Sequence, residues 1–277
     1  MDVSVIIVSY NSCKLTLQAV ASVMQHTTGL HFEIIVVDNG SSDDTVVTLH
    51  NQFPEIIVIE NEKNIGFGQA NNIAVNKSRA EFCFFLNSDA YLLNNSILEF
   101  RKFLANNPDV FAAGGQLLFE NFDANISVAR FPCYENFIAG SFWRHFYKKH
   151  FYLNKLDHVP YDISKIQVVD YVSGANLFIR TSIFKEFGGF RKQFFMYFEE
   201  TELQYRIKKL NPTLQVYFLP YIKIVHIGQG SNIHSTKSIR FKLMYLKSRA
   251  YYFRFQIGKR AFFMIYLRGL ITIFLKK

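Results

Sequence analysis

Three acidic side chains follow an aromatic-rich run in the sequence. The run FFMYF (194–198) is followed at once by Glu199, Glu200 and Glu202. Apolar residues then recur at helical spacing, which predicts a helix whose first turn carries the acids: Leu203, Ile207 and Leu210. Acids in a first turn suit the positive end of a helix dipole. A carboxylate beside apolar rings also has a raised pKa and can act as a general base.

Polar side chains also follow three apolar runs of the first half. These clusters are Ser9-Tyr10-Asn11, Asp38-Asn39-Gly40 and Asn87-Ser88-Asp89. Asp89 at the end of a buried strand could hold a divalent cation through its hard oxygen ligands. Asp38 could accept hydrogen bonds from a base or a ribose. Both residues also suit ordinary turns, so the residues alone leave these roles open.

Two further motifs could contact a ligand. The segment NIGFGQANN (64–72) has Gly66 and Gly68, but Asn71 stands where a dinucleotide-binding motif needs its third glycine. The segment also follows the third strand rather than the first, which argues against a dehydrogenase. The glycine pair favours close approach of the backbone to a ligand or a neighbouring helix. His226 ends a strand and could be a metal ligand, a phosphate donor or a structural residue.

Alternating strand and helix patterns would position these residues. The sequence predicts strands over 3–10, 32–38, 55–61 and 81–87, with helices after each, including 68–77 and 95–106. Such repeats imply a mostly parallel sheet with right-handed crossovers, and ligands bind at the carboxyl ends of its strands. Later strands are predicted around 166–180, 214–219 and 222–227. No structure is assigned over 120–165, which contains FWRHFYKKHFY.

Length, composition and cysteine usage limit the class of protein. The chain has 277 residues, of which 49% are apolar, so it can build one or two folded domains and is not disordered. Its three cysteines are far apart, which favours a reducing compartment and argues against structural zinc: Cys13, Cys83 and Cys133. The start MDVSVIIVSYN predicts a buried strand rather than a signal peptide.

Basic residues are concentrated in the tail. Glu202 is the last acidic residue, and 15 Lys and Arg follow it. The apolar run 261–275 is too short to span a membrane and contains Arg268. The favoured interpretation is a basic amphipathic helix on an anionic membrane surface. A dimer interface or a helical pair packed on the rest of the chain are alternatives, whereas nucleic-acid binding is disfavoured.

The ordered set of motifs resembles a known family. It comprises VSYN, VVDNGSSDDT, NIGFGQANN, LNSDA, VSGANLFIR, GGF, FFMYFEETELQYR and HIGQGS. Over residues 3 to 231 this set is similar to glycosyltransferase family 2 proteins of the GT-A fold, and within them to the rhamnosyltransferase-like branch. The resemblance implies an α/β fold with a Rossmann-like, mostly parallel sheet flanked by helices. It also implies a catalytic domain over 1–231 and a basic helical region over 232–277.

The resemblance implies inverting transfer of a sugar from a nucleoside-diphosphate donor. The donor-binding positions are then Ser9, Tyr10, Asp38, Asn64, Gly66, Asn71 and Ser88. Asp89 and His226 correspond to ligands and neighbours of a Mg²⁺ or Mn²⁺ ion. Glu200 corresponds to the catalytic base, with Glu199 and Glu202 as supporting acids. Asn87 stands where the metal signature commonly begins with Asp, which leaves the strictness of the metal requirement open.

The implied partners follow from the same resemblance. The donor sugar could be rhamnose, and the acceptor would be a hydroxyl of a glycan or a lipid-linked molecule in surface polysaccharide synthesis. We expect a cytoplasmic protein, peripheral on the inner membrane surface, with no nucleic-acid partner; the oligomeric state stays open. One alternative is a non-catalytic nucleotide-sugar-binding protein. Another is a nucleotidyltransferase, which needs a glycine-rich basic loop where SYNSCKL (9–15) stands.

Overall fold

The computed structural model describes residues 1–134, 161–228 and 238–275. Its main sheet has nine strands, and eight of them follow the order β3-β2-β1-β4-β10-β6-β11-β5, with β8 also paired to β11. These strands are β1 Val3–Ser9, β2 Phe32–Asp38, β3 Ile57–Glu60, β4 Phe82–Asn87, β5 Ala90–Leu92, β6 Val110–Leu118, β8 Gln167–Val169, β10 Asn176–Arg180 and β11 Gln215–His226. A second, small sheet pairs β7 Val128–Ala129 with β9 Tyr171–Val172.

Helices flank the sheet and form the end of the chain. Within the described residues they are α1 Cys13–His26, α2 Thr45–Gln52, α3 Phe67–Lys77, α4 Ser96–Asn106, α5 Thr181–Glu186, α6 Glu199–Leu210, α7 Ile239–Ile257 and α8 Lys259–Leu275. The first half of the chain therefore alternates strands and helices as the sequence predicts.

The parallel part of the sheet brings the predicted polar clusters to one edge. β1 lies between β2 and β4 and runs parallel to both. In this register Ser9 is level with Asp38, and Val8 is level with Asn87. The three clusters therefore follow strands that end side by side, which confirms the predicted convergence.

The core lies on both faces of the sheet. Val5 and Ile7 of β1 belong to one apolar cluster with Phe100 of α4. Ile6 points to the opposite face and joins a second cluster with Ala74 of α3. Because successive side chains of a strand point to opposite faces, a continuous apolar run is buried on both sides. The predicted buried strand at the N-terminus is confirmed.

Two features of the second half differ from the sequence prediction. β6 is a fully buried strand that the sequence did not predict, because its small residues at 112–115 carry little β-branched signal. A Cβ on Gly115 would lie 2.7 Å from Ile222, so only glycine fits there. The predicted strands 214–219 and 222–227 form one strand, β11, whose register with β6 shifts between Leu219 and Lys223. Pro220, which cannot donate to a ladder, lies within this shift.

The tail forms two helices rather than one. α7 packs on the rest of the chain through an apolar cluster that contains Phe194, Phe198, Leu246, Ala250, Tyr252, Phe253, Ala261 and Ile265. The side of the tail that faces the rest of the chain therefore agrees with the alternative of a packed helical pair. Large apolar side chains remain exposed on α8, namely Phe263, Met264, Leu267, Ile271 and Phe274.

Some predictions fall outside the described residues. The boundary after residue 231 lies within 229–237, and the aromatic and basic stretch 142–152 lies within 135–160. The motif HIGQGS is described only as far as Gly228. In the described part of the chain, no helix combines the length and the apolar character that a membrane span needs.

Candidate active site

A cavity of about 760 Å³ lies at the edge where β1, β2 and β4 end. Seven of the residues predicted to form a site line this cavity: Tyr10, Asn64, Ser88, Asp89, Glu199, Glu200 and His226. Its volume falls within the range of small-molecule sites. The loops around residues 38, 89 and 200 therefore converge, since Asn39, Asp89 and Glu200 share one cavity.

Five predicted site residues lie outside the cavity wall: Ser9, Asp38, Gly66, Asn71 and Glu202. The Ser9 hydroxyl lies 2.7 Å from the Thr16 hydroxyl, so it binds the first turn of α1. The Asn71 amide donates to the Phe67 carbonyl within α3. Ser9 thus ties β1 to α1, whereas Asn71 bonds within its own helix, and neither side chain lines the cavity.

Asp38 lies directly behind the wall. Its Oδ2 accepts a hydrogen bond of 2.9 Å from the Ser41 amide. Its buried Oδ1 has no hydrogen-bond partner among the described residues. Because an unpartnered buried carboxylate oxygen is unfavourable, a ligand donor there would stabilise the site.

Asn39 lines the cavity and organises the neighbouring loop. Its amide nitrogen donates to Asn64 Oδ1 at 3.0 Å, and its own Oδ1 accepts from Asn61 and from the Ile65 amide. Asn64 Oδ1 in turn accepts from the Gly66 amide at 2.9 Å. The sequence placed Asn39 in a polar cluster without giving it a role, and its position after Asp38 was the available signal.

Asp89 and His226 face each other across the ends of two paired strands. His226 on β11 is level with Ala90 on β5, which places its Nε2 3.3 Å from Asp89 Oδ1. The Asn87 amide nitrogen lies 3.2 Å from the same Nε2. Asp89 is 5% exposed, so its carboxylate is held at the cavity floor.

This donor set fits a divalent cation only together with a ligand. Within the described residues, no three His, Cys, Asp or Glu side chains gather to hold a metal ion. One carboxylate and one imidazole are nevertheless acceptable ligands for Mg²⁺ or Mn²⁺. Mg²⁺ is often held by one or two carboxylates and completed by substrate phosphates. The residues present therefore fit an ion that binds with a phosphate-bearing molecule.

Glu199 and Glu200 begin α6 and line the same cavity. Burial raises the pKa of Glu199 well above its usual range, and the charge of Glu200 adds to this effect. Burial also raises the pKa of Glu200, while hydrogen bonds from backbone amides, including that of Gly174, oppose the rise. Gly174 lies so close that a Cβ there would be 3.5 Å from Glu200 Cγ. Glu200 is thus the more readily ionised of the two.

Glu202 has a different environment from its neighbours. It is 2% exposed and pairs with Arg191 Nε at 2.8 Å and with Arg206 Nε at 3.0 Å. Arg206 also donates to the carbonyls of Phe187 and Gly189. Glu202 therefore anchors α6 to the preceding loop, because Arg191 lies in that loop. The charge of Glu202 is thus neutralised by ion pairs outside the cavity wall. Glu202 is predicted as a supporting acid of the site, but it does not line the cavity.

Several cavity residues were not predicted from the sequence. The segment 173–175 and the first turns of α7 contribute Ser173, Gly174, Ala175, Ser238, Arg240, Phe241 and Met244. α7 begins more than 100 residues after the end of β4, so no local sequence pattern links the two. For the tail residues, basic and aromatic character was the available signal, whereas residues 173–175 belong to the motif VSGANLFIR.

The family assignment follows from residues 4–188. This stretch, about two thirds of the chain, matches the model of the family described as glycosyl transferase family 2. The chain belongs to glycosyl transferase family 2. The matched region includes β1 to β4 and the cavity residues they carry.

Relatives at modest identity agree with this family. Over 212 residues the family 2 chain is 27% identical to the rhamnosyltransferase WbbL of Escherichia coli K12, covering 73% of this chain and 75% of that protein. Another relative is an uncharacterized glycosyltransferase of Rickettsia bellii, 32% identical over 111 residues, or 40% of this chain. The chain spans 16% of the length of the Rickettsia protein, and 36% and 62% of the length of two further curated relatives.

Solved structures share the fold. The mannosyltransferase PcManGT from Pyrobaculum calidifontis, in complex with GDP-Man and Mn²⁺, has a TM-score of 0.62 at 18% identity. The match covers 98% of the family 2 chain and 69% of PcManGT. TarS 1–349 of S. aureus in complex with UDP has a TM-score of 0.59 at 16% identity, covering 99% of this chain and 72% of TarS. The fold is GT-A, with a mostly parallel sheet and flanking helices.

Proposed function

We propose that this protein transfers a sugar from a nucleoside-diphosphate donor to an acceptor hydroxyl, with inversion at the anomeric carbon. The observation that carries the proposal is that Asp89, His226 and Glu200 line one cavity. Asp89 and His226 can then act on the leaving diphosphate, and Glu200 can act on the attacking hydroxyl. Family membership supports the same reaction class.

The donor would bind along the strand ends. Tyr10, Asn39, Asn64 and Ser88 line this side, and the unpartnered Oδ1 of Asp38 lies just behind it. TarS and PcManGT, which share the fold, are solved with UDP and GDP-Man. We therefore assign this wall to the nucleotide, with Asp38 accepting a hydrogen bond from it. Ser9, Gly66 and Asn71 support the wall from behind.

The diphosphate would lie against Asp89 and His226. These two side chains would hold a Mg²⁺ or Mn²⁺ ion together with phosphate oxygens. When bound, such an ion stabilises the negative charge that builds on the leaving diphosphate. Asn87 provides an amide at the position where an aspartate is common, so this site has fewer protein charges for the ion.

Glu200 would act as the general base. It is partly buried, faces the cavity and stays the more readily ionised of two adjacent glutamates. As the acceptor oxygen attacks, the carboxylate would take its proton. General base catalysis of this kind is typically worth about 10²- to 10⁴-fold in rate. Glu199 would keep its proton and provide a neutral neighbour.

The similarity to WbbL supports rhamnose as the sugar transferred. Poly(ribitol-phosphate) beta-glucosyltransferase and chondroitin synthase are further relatives, and both names describe the synthesis of polymers. We infer that the acceptor is a glycan or a lipid-linked molecule used in surface polysaccharide synthesis. The catalytic region would be residues 1–231 and the basic helical region 232–277.

The tail would bind the cytoplasmic face of the membrane. Residues 238–277 contain ten Lys and Arg and no acid. The exposed apolar side chains of α8 would enter the headgroup region while the bases contact anionic lipids. This placement would present the cavity to a membrane-bound acceptor.

A thermal-shift screen tests the proposed donor site. UDP-, GDP- and dTDP-linked sugars would be added with and without Mn²⁺, and one nucleotide class should raise the Tm only when Mn²⁺ is present. The Asp89→Ala variant should lose this Mn²⁺-dependent shift because its main cation ligand is gone. An unchanged shift in Asp89→Ala contradicts the metal assignment.

Together with an assay of product release, the screen separates the alternatives. A non-catalytic nucleotide-sugar-binding protein would show the shift but release no nucleoside diphosphate in the presence of acceptor. A nucleotidyltransferase would release pyrophosphate from a nucleoside triphosphate and a sugar phosphate. Release of nucleoside diphosphate, dependent on acceptor, is the result we expect.

A further inference from the structure

The loop before Glu199 has an unfavourable backbone conformation. We call residues 194–198 the catalytic loop. Tyr197 and Phe198 are consecutive non-glycine residues, both with φ of 69°. Side chains with a Cβ rarely adopt this left-handed region, so surrounding contacts must hold it. Because α6 begins directly after this loop, the loop conformation decides where Glu200 points.

α7 holds the catalytic loop from one side. The Ser248 hydroxyl donates to the Met196 carbonyl at 2.8 Å, and Ser248 is 2% exposed. The ring centroid of Tyr245 lies 5.7 Å from that of Tyr197 and 5.4 Å from that of Phe198. These contacts act on the two residues that have positive φ and on the carbonyl just before them.

α3 holds the same loop from the other side. The Phe67 amide donates to the Phe195 carbonyl at 2.9 Å. A Cβ on Gly66 would lie 2.5 Å from that carbonyl oxygen, so the loop and the start of α3 are in close contact. The catalytic loop therefore lies between the start of α3 and α7 and contacts both.

The C-terminal end of α7 contacts Arg191, the ion-pair partner of Glu202. The Arg191 guanidinium lies 4.2 Å from the centre of the Phe255 ring, and Arg191 also pairs with the buried Glu202. The start of α7 lines the cavity itself through Phe241 and Met244. From its start to its end, α7 thus contacts the cavity, the catalytic loop and Arg191 in turn.

We propose that α7 is a positioning element of the active site, in which Ser248 and Tyr245 hold the catalytic loop so that Glu200 faces the acceptor. This inference rests on the proposed function and deepens it. It assigns the C-terminal region a part in catalysis in addition to membrane contact. Ser248 and Tyr245 are positioning residues because they act through Glu200.

The test compares three hydroxyl variants in the full-length protein. Ser248→Ala removes the bond to the loop, and Ser248→Thr keeps a hydroxyl. Thr272→Ala is the matched control, because the Thr272 hydroxyl donates to a backbone carbonyl on α8, that of Arg268, at 3.0 Å. Nucleoside diphosphate release would be measured with the UDP-, GDP- or dTDP-linked sugar that the wild-type protein turns over.

We expect Ser248→Ala to lower kcat by about 10- to 100-fold, since small misplacements of catalytic groups have effects of this size. Its KM for the donor should stay unchanged, because the Ser248 hydroxyl bonds to Met196, which is not one of the residues assigned to the nucleotide. Ser248→Thr should recover most of the loss, and Thr272→Ala should match the wild type. Tyr245→Ala, at a 38% exposed residue, should show the same separation of kcat from KM.

The outcomes separate this inference from the proposed function. Wild-type kcat in both Ser248→Ala and Tyr245→Ala overturns the positioning role, even if Glu200→Gln is inactive. A fall in kcat that is matched by a loss of donor affinity also overturns it. If the wild type turns over no sugar, the proposed function fails. Hydrogen exchange then decides the inference separately: faster exchange of amides 196–202 in Ser248→Ala supports it, and unchanged exchange refutes it.

Discussion

At the scale of single residues, two adjacent glutamates have different environments. Glu199 is 4% exposed, and its Oε2 has no hydrogen-bond partner among the described residues. Nearby backbone amides lower the pKa of Glu200 against the rise caused by burial, which favours its charged form. Residue type is the same, so only the environment can separate a neutral neighbour from a base.

Glu200→Gln should lower transfer by about 10²- to 10⁴-fold, because an amide cannot take the acceptor proton. Donor binding should persist, since Glu200 lies on α6 rather than on the strand ends assigned to the donor. Single-turnover transfer and calorimetry with the donor measure the two effects. Undiminished turnover in Glu200→Gln would sink the assignment of the base.

Glu199→Gln is the matched control for this substitution. Burial already favours the protonated form of Glu199, so a neutral amide there should cost far less activity. With Glu200 as the proposed base, its raised pKa should set the acid limb of kcat in the wild type. The base form is lost as pH falls through that raised pKa, so the limb should lie at higher pH than for an ordinary glutamate. A limb near or below the usual glutamate range contradicts the buried-base description.

At the scale of elements, glycines allow close contacts between segments that are distant in sequence. Gly66 precedes α3 with φ of 90° and lies against the catalytic loop. Gly68, two residues further on, would place a Cβ 3.0 Å from Phe190 Cβ. The predicted close approach of this glycine pair is therefore to neighbouring elements rather than directly to a ligand.

Gly66→Ala should destabilise the fold by two effects. Gly66 has φ of 90° and ψ of 157°, a region used almost only by glycine, so an alanine there costs about 1–3 kcal/mol, and overpacking against Phe195 adds about 1–3 kcal/mol. Gly188→Ala is the matched control, because Gly188 has φ of 74° but no atom within 4 Å of an added Cβ. Urea unfolding should show the smaller loss for Gly188→Ala. Equal losses would mean that the contact with the catalytic loop adds no constraint.

At the scale of the whole molecule, charge and apolar exposure are concentrated at one end of the chain. The formal net charge is +9, yet every acidic residue lies at or before Glu202. α8 adds an exposed apolar surface to this basic region, including Phe263, at 68%, and Leu267, at 63%. Basic charge and exposed apolar side chains together suit an anionic lipid surface.

Replacement of Leu267 and Ile271 by serine should release the protein from anionic vesicles. Both side chains are at least half exposed on α8, so the fold should tolerate the change. Co-sedimentation with phosphatidylglycerol-containing vesicles measures binding, and neutral vesicles should bind weakly because each nearby base contributes about 1 kcal/mol only at an anionic surface. Val47→Ser is the control, at a residue 63% exposed on α2. Full retention of the double variant on anionic vesicles would refute the proposed membrane face.

The sequence by itself determined the parallel half of the fold and the edge that carries the cavity. Strand and helix periodicities are local, and parallel strands must end at a common edge. The motif order also identified the family and singled out Asp89, Glu200 and His226, which the fold brings to one cavity.

Only the tertiary structure decided which acids face the cavity and which elements close it. Glu202 follows Glu200 by two residues, but it pairs with Arg191 and Arg206 and does not line the cavity. β6 and the contact of α7 with the catalytic loop had no local pattern, because they depend on residues that meet only after folding. Burial and pairing, which set charge and direction of a side chain, are properties of the packed molecule rather than of a sequence window.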